Sequence, residues 1–485
     1  MGFKPIPAAI AVVIGLVIWF AIPIPEGVSP QAWHLLAMFV AVIAAIIGKA
    51  MPIGAIGIIA IMLVAITGVT SDKPSQAMND ALSSLSNPLI WLIGVAVMIS
   101  HGLSKTGLGT RLSYMTIAIW GKTTLGLGYS LAFAELVLAP VTPSNTARGG
   151  GTIHPIMKSI ANNFESHPND DSRNKIGKYL ALVNYQANPI SSAMFITATA
   201  PNPLVVNLIA DATGSQIHLS WLTWATAMFI PGVIAMALMP LIIYLYQKPE
   251  IKKTPNASIM AKQGLQEMGP IKRDEWVMIG VFALMLFLWA DIPAMIFGDA
   301  YKVNPTATAF LGLSLLLLFG VLTWDDVLKQ KSAWDTIIWF GALVMLATLL
   351  NKSGILGVAT DQLTKSITGM GLGWMSSCLI LLLIYLYSHY MFASTTAHIT
   401  AMFTMFYSAG VFLQAPPYFW ALLMAAASSL MMSITHYATG TAPIVYNSGY
   451  TTLGEWWKTG FIVSVSNLLI FVFIGGLWWK ILGYW

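Results

Sequence analysis

The chain has 485 residues, 57% of them hydrophobic and only 9% charged. Ordinary soluble domains carry roughly 25% charged residues, so this composition excludes a soluble protein and indicates an all-α polytopic membrane protein. The formal net charge of +5 lies mostly in short connections between apolar runs. No basic domain stands out, and nucleic acid is excluded as a partner.

The first apolar run, Ile6 to Ile24, is about long enough to cross a bilayer. It follows only Lys4 and meets Pro23, Pro25 and Glu26 at its end, without a clear small-residue cleavage site, so it reads as a retained helix. Further spans are expected at about 34–50, 52–70, 88–103 and 112–121. The next stretch behaves differently. Leu131 to Ala139 is apolar, but Pro140, Pro143, Ser144, Asn145 and Thr146 follow, then Gly149, Gly150 and Gly151. Proline and glycine at this density break helical hydrogen bonding. Broken backbone at membrane depth survives only where protein or water lines it. A re-entrant hairpin or an interrupted helix is expected here.

A polar stretch from Asn162 to Lys178 leads into a span from Tyr179 towards Ala200, interrupted at Thr197 to Pro203. A long span at 219–246 precedes the longest hydrophilic segment, Gln247 to Asp274, whose basic excess assigns it to the cytoplasm. Spans at 276–290, 306–322, 335–350 and 374–387 come next, then a broken region around Ser394, Thr395 and Thr396. Spans at 418–433 and 459–480 flank Tyr437 to Pro443. Trp478 and Trp479, near a span end, read as interface anchors. The single cysteine, Cys378, supports no disulfide or thiolate metal site.

The two halves of the chain match. Gly94–Met98 and Lys105 align with Gly341–Met345 and Lys352 at an offset of 247, and S-N-T-A at Ser144 aligns with S-T-T-A at Ser394 at 250. A-T-A-P-N-P at Ala198 aligns with A-T-G-T-A-P at Ala438 at 240. Three weak matches in one order indicate an internal duplication. The expected organisation is an N-terminal membrane helix at 1–30, a first membrane repeat at 31–247, a cytoplasmic linker at 248–274 and a second repeat at 275–485. Duplicated halves with broken helices are typical of secondary transporters, whose repeats often have inverted topology.

The hydroxyls and amide of Ser144, Asn145 and Thr146, with those of Ser394, Thr395 and Thr396, suit carboxylate oxygens. A broken helix adds N–H groups whose dipole favours an anion. Small polar residues also cap helices or let them pack closely. Arg148 and His398 occupy matching positions. An arginine inside a bilayer must be paired, solvated or snorkelling, and a histidine is often neutral near pH 7. Two cationic arms about a repeat axis would suit a substrate with two carboxylates. Glu135 either relays protons, pairs with a nearby cation or lies near the interface. Thr199, Pro201 and Asn202, with Thr439, Thr441 and Pro443, read as the second broken element of each half, either lining a site or kinking a helix. No cofactor is implied, and no histidine–carboxylate group has metal-ligand spacing.

The strings Ala139 to Thr152, Ser388 to His398 and His436 to Gly440, with the loop Ser166 to Asp170, resemble the divalent anion:sodium symporter family. The closer resemblance is to its citrate/succinate, tartrate/succinate and plastid 2-oxoglutarate/malate antiporter branch. The resemblance covers nearly the whole chain. It implies a homodimer in a cell membrane, each protomer having a scaffold domain and a mobile transport domain that carries a dicarboxylate by an elevator-like movement. It also implies that Ser144, Asn145 and Thr146 form one substrate clamp and Ser394, Thr395 and Thr396 the other. The second clamp departs from the symporter pattern in having Thr395 where asparagine is usual. That departure, with Arg148 and His398, favours sodium-independent exchange of C4/C5 dicarboxylates such as succinate, malate or 2-oxoglutarate in a prokaryotic plasma membrane. Sodium- or proton-coupled symport, an anion channel and a membrane enzyme are the competing readings.

Overall fold

Long runs of leucine, isoleucine, alanine and methionine without charge close their own backbone hydrogen bonds as helices, the structure that apolar surroundings demand. The computed structural model describes residues 2–369 and 371–485, and the secondary structure among them is helical apart from one isolated bridge between Thr123 and Lys253. Among the described residues, seven helices are long and apolar enough to cross a membrane. The longest uninterrupted one, Trp221–Tyr246, has 26 residues. The protein is therefore an all-α polytopic membrane protein.

The chain divides into two units, each drawing on both halves of the sequence. One unit contains Met1–Gly94, Pro203–His218 and Lys331–Met424; the other contains Val95–Asn202, Leu219–Gln330 and Ala425–Trp485.

In the first unit, helix Pro5–Leu16 runs into a wide π-helical turn, Val17–Ala21. The carbonyl of Ile18 in that turn accepts the Trp33 indole N–H at 2.8 Å. Helix Ile53–Thr67 lies close against helix Lys331–Lys352, because a Cβ on Gly57 would come within 3.1 Å of the Trp339 backbone. Phe39, Val42, Val64, Leu343 and Leu346 fill the core between these helices and helix Pro30–Ile47. Ala397, just after the second polar string, is sealed into the same core.

In the second unit, helix Gly177–Met194 packs against Trp221–Tyr246. The segment Gln247–Asp274, read from its polarity as a hydrophilic linker, contains a helix, Pro255–Met268. It packs on helix Leu108–Trp120, where the Ser258 hydroxyl donates to the Ala118 carbonyl at 2.6 Å. Arg111 and Glu275 form a buried bidentate pair at 2.6 and 3.1 Å, which ties the far end of this linker to the same helix. Trp479 departs from the expected interface role. It is fully buried, and its indole donates to the Ala227 carbonyl at 2.8 Å, so it packs helix Gly476–Ile481 inward.

Candidate functional site

The two polar strings fold into the same local structure. Extended backbone reaches Ser394 (φ −148°, ψ 122°), and its hydroxyl accepts the Ala397 N–H at 3.3 Å. The Ser144 hydroxyl accepts the Ala147 N–H at 3.1 Å. The carbonyls of Ser144 and Ser394 accept the N–H groups of Arg148 and His398 at 3.0 and 3.1 Å. Each serine thus caps a helix that starts from a break, a role for which serine is among the preferred residues. The helices then diverge. Thr395–Phe412 is α-helical throughout, whereas Thr146–Ile153 is a π-helical turn that becomes α-helical only at His154. Gly149, inside the wide turn, allows a close approach: a Cβ there would meet the Asn188 amide nitrogen at 2.9 Å.

In the second unit the chain doubles back across the first break. Glu135, on helix Thr124–Leu138, meets Arg148 beyond the break at 2.6 Å, Oε1 to Nε. The Arg148 guanidinium is fully buried and all its edges are used. Nη1 donates to the carbonyls of Thr142 at 2.6 Å and Ala198 at 2.8 Å; Nη2 donates to the hydroxyls of Ser191 and Ser192 at 3.2 and 3.3 Å. A buried charge is tolerated only when paired and hydrogen-bonded in this way. Arg148 therefore spends its donors on the protein, bridging the break at Thr142 to the second break at Ala198.

Asn145 and the residues around Thr439 are brought together. The Asn145 amide donates to the Thr439 hydroxyl at 3.0 Å, and a Cβ on Gly440 would lie 2.5 Å from the Thr146 hydroxyl. Asn188 joins them: its amide N–H groups donate to the Asn145 carbonyl at 3.0 Å and Glu135 Oε1 at 2.7 Å, while its oxygen accepts from the Thr441 hydroxyl at 3.2 Å. Asn202 acts as an internal brace. Its amide donates to the carbonyls of Ser192 and Phe195 at 2.7 and 2.9 Å, and its oxygen accepts from Ser429 at 3.0 Å. Thr199 is buried, and its carbonyl accepts the Asn202 N–H at 3.2 Å. Pro201 and Pro443 lie in the opening turns of helices Pro201–Ala212 and Thr441–Tyr446, where a missing proline N–H costs nothing.

Ser394, Thr395, Thr396 and His398 belong to the first unit. Thr395 and Thr396 are buried, and His398 is sealed completely. Its Nδ1 lies 3.0 Å from Nδ1 of His389 and its Nε2 3.2 Å from the Ser388 hydroxyl. Its ring stacks on Phe392 at 4.5 Å between centroids. Both ring nitrogens of His398 are engaged within the hairpin formed by helices Trp374–Tyr387 and Thr395–Phe412.

Asn188, Ser191 and Ser192 were missed in the sequence. They share a face of helix Gly177–Met194 with Asn184, whose amide donates to the Gly149 carbonyl at 3.3 Å. The signal was present: polar residues at 184, 188 and 191 recur at helical spacing inside an apolar run. Of the roles expected of Glu135, the structure shows pairing with a cation, Arg148.

The described residues contain no group of three or more His, Cys, Asp or Glu placed to hold a metal. The family described as Sodium:sulfate symporter transmembrane region matches residues 4–485. The Bacillus subtilis (strain 168) transporter YflS is 46% identical over 99% of this chain and 97% of its own length. The spinach protein named Dicarboxylate transporter 1, chloroplastic, is 41% identical over 100% of this chain and 82% of its own. The Escherichia coli (strain K12) protein named Citrate/succinate antiporter is 33% identical over 98% of this chain and 97% of its own.

Proposed function

The chain belongs to the sodium:sulfate symporter family, and from that membership we propose that it exchanges C4/C5 dicarboxylates such as succinate, malate and 2-oxoglutarate across a prokaryotic plasma membrane, without sodium. The names of its spinach and Escherichia coli relatives support dicarboxylate transport and antiport respectively. Each serine-capped break is a carboxylate clamp within its own unit. Ser144, Asn145 and Thr146 form one clamp, with Thr439 beside it, and Ser394, Thr395 and Thr396 form the other. Each clamp adds hydroxyl donors, and the first also the Asn145 amide, to a helix start whose dipole favours an anion. The two repeats are inverted relative to each other, both breaks enter the membrane from opposite sides, and each protomer of a homodimer carries its cargo by an elevator movement. No covalent chemistry is required, and opposing substrate gradients supply the driving force.

One observation carries the sodium-independent reading. Arg148 Nη1 already bridges the carbonyls of Thr142 and Ala198 at 2.6 and 2.8 Å. Carbonyls released by broken helices are the oxygens with which transporters coordinate sodium. Here a resident guanidinium occupies them, its charge balanced by Glu135. Arg148 is thus a positioning residue in this reading, and His398, tied to His389 and Ser388, supports the second clamp in the same indirect way.

Counterflow tests the reading. Purified protein in liposomes loaded with unlabelled succinate, malate or 2-oxoglutarate should take up labelled succinate, and empty liposomes should take up little, with or without a sodium gradient. Sodium-driven uptake into empty liposomes would replace exchange with symport. Uptake that neither saturates nor releases an equal amount of internal substrate would point to a channel.

A further inference from the structure

We propose that a groove on the second unit, between helices Thr124–Leu138 and Trp221–Tyr246, binds an anionic phospholipid, with an acyl chain along the groove and the headgroup on a lysine cluster at one end. The groove encloses about 740 Å³. Trp120, Phe133, Leu136, Phe229 and Val233 line it, and Trp120, Phe133, Phe229 and Val233 are each more than a third exposed. Few polar groups interrupt the wall. The Tyr129 hydroxyl, one of them, is satisfied by the Ala237 carbonyl at 2.8 Å, which also ties the two helices together across the groove floor.

The groove has one charged end. Thr123 lines it, follows the exposed Lys122 directly, and is bridged to the exposed Lys253. The Lys252 carbonyl accepts the Thr124 N–H at 3.1 Å, and the Lys122 carbonyl accepts the Thr254 N–H at 2.8 Å. These backbone bonds hold three lysines around the mouth of an apolar channel. Trp120 packs edge-on against Phe133 at that end, 5.1 Å between centroids, and indole rings favour the membrane interface. Close approach there depends on Gly126, since a Cβ would collide with the Trp120 carbonyl.

Length fits the occupant as well as charge does. From Thr123 to Leu136 a helix advances about 20 Å, and one leaflet of hydrocarbon is about 15 Å deep. An acyl chain of ordinary length therefore fills the groove while its phosphate stays level with the lysines. A lysine or arginine near an anionic membrane surface contributes roughly a fivefold gain in binding. Three of them give a preference of at least about tenfold over a zwitterionic lipid.

Native mass spectrometry tests this on the whole protein in a mild detergent supplied with equal phosphatidylglycerol and phosphatidylcholine. Wild type should retain phosphatidylglycerol at least about tenfold more. Replacing Lys122, Lys252 and Lys253 by Gln should bring the ratio close to one, and replacing them by Arg should keep it. Val233→Trp, which fills the groove and leaves the lysines in place, should displace the retained lipid without altering the gel-filtration profile. Equal retention of both lipids by wild type would overturn the proposal, as would an undiminished preference in the Gln variant. A Val233→Trp protein that changes oligomeric state would also overturn it, by making the groove a contact between copies of the chain.

Discussion

Arg148 and Glu135 lie 13 residues apart in sequence and 2.6 Å apart in space, and neither side chain reaches solvent. Between them the chain leaves one helix, passes Pro140 and Pro143, and enters another. The ion pair clamps the base of that excursion while Asn188 and Ser191 share the same carboxylate oxygen at 2.7 and 3.1 Å. Removing one partner therefore strands the other in an apolar interior. Arg148→Ala should lower stability by about 3–5 kcal/mol. Arg148→Ala/Glu135→Gln should recover a large part of that loss, since it leaves no buried charge. Thermal unfolding of the purified proteins in detergent measures both.

The same double substitution bears on ion coupling. Without the guanidinium, the carbonyls of Thr142 and Ala198 lose their donor. Uptake into liposomes should then respond to sodium, whereas wild type should not. Equal rates with sodium and with potassium in the double variant would remove Arg148 from the account of sodium independence.

Asn145 and Thr439 form a pair suited to a double-mutant cycle, being linked at 3.0 Å from opposite halves of the sequence. Asn145→Ala and Thr439→Val should each reduce kcat/KM for dicarboxylate exchange by about tenfold. The double variant should be little worse than either, giving a coupling of about 1 kcal/mol. Fully additive losses would show that the two side chains act separately on the substrate.

Ser144 and Ser394 make matching caps, with hydroxyl-to-nitrogen distances of 3.1 and 3.3 Å. Ser144→Ala and Ser394→Ala should each cost about 1 kcal/mol and raise KM for succinate. Threonine at either position keeps the oxygen and should restore most of the loss. Exchange assays on the four variants decide this.

The Lys105 ammonium, in the last turn of helix Pro88–Thr106, donates to Asp326 on the short helix Trp324–Leu328 at 2.6 Å, and this contact holds the Asp326 carboxyl well below the usual carboxylate range. A depressed folded-state pKa means that the pair contributes its full stability above the unfolded value and loses it as pH falls from there through the folded one. Wild type should therefore lose stability on acidification below about pH 4, and Asp326→Asn should show a shallower dependence over that window. Unfolding temperatures between about pH 2 and pH 5 report the difference.

Sequence alone located the breaks well because their signals are local. A cluster of proline, glycine and hydroxyls at 140–151 and a cluster of hydroxyls and histidines at 388–398 interrupt apolar runs where backbone bonds must otherwise be closed. The partners of those breaks were less visible. Arg148 stands beside a binding string and reads as a substrate cation, yet the distant Glu135, Ser191 and Ser192 and the backbone of Ala198 consume its donors. That outcome is a property of tertiary packing, as is the link from Asn145 to Thr439. Trp479 misled for a related reason: position near a span end does not reveal which face of the helix turns inward. The helix Pro255–Met268 was hidden by its polarity, since the surface it offers to Leu108–Trp120 consists of alanine, serine and glycine rather than large apolar side chains.

The way each unit is assembled constrains how the protein is made. Residues 1–94 share a unit with 331–424, and residues 95–202 share one with 425–485. When a ribosome has delivered the first 330 residues, both bodies still lack segments that are yet to be translated. Contacts spanning such separations form slowly and leave apolar helix faces uncovered in the meantime. Cutting the gene in the lysine-rich middle would therefore yield two fragments that fold only when expressed together, each requiring the other's helices to finish its interior.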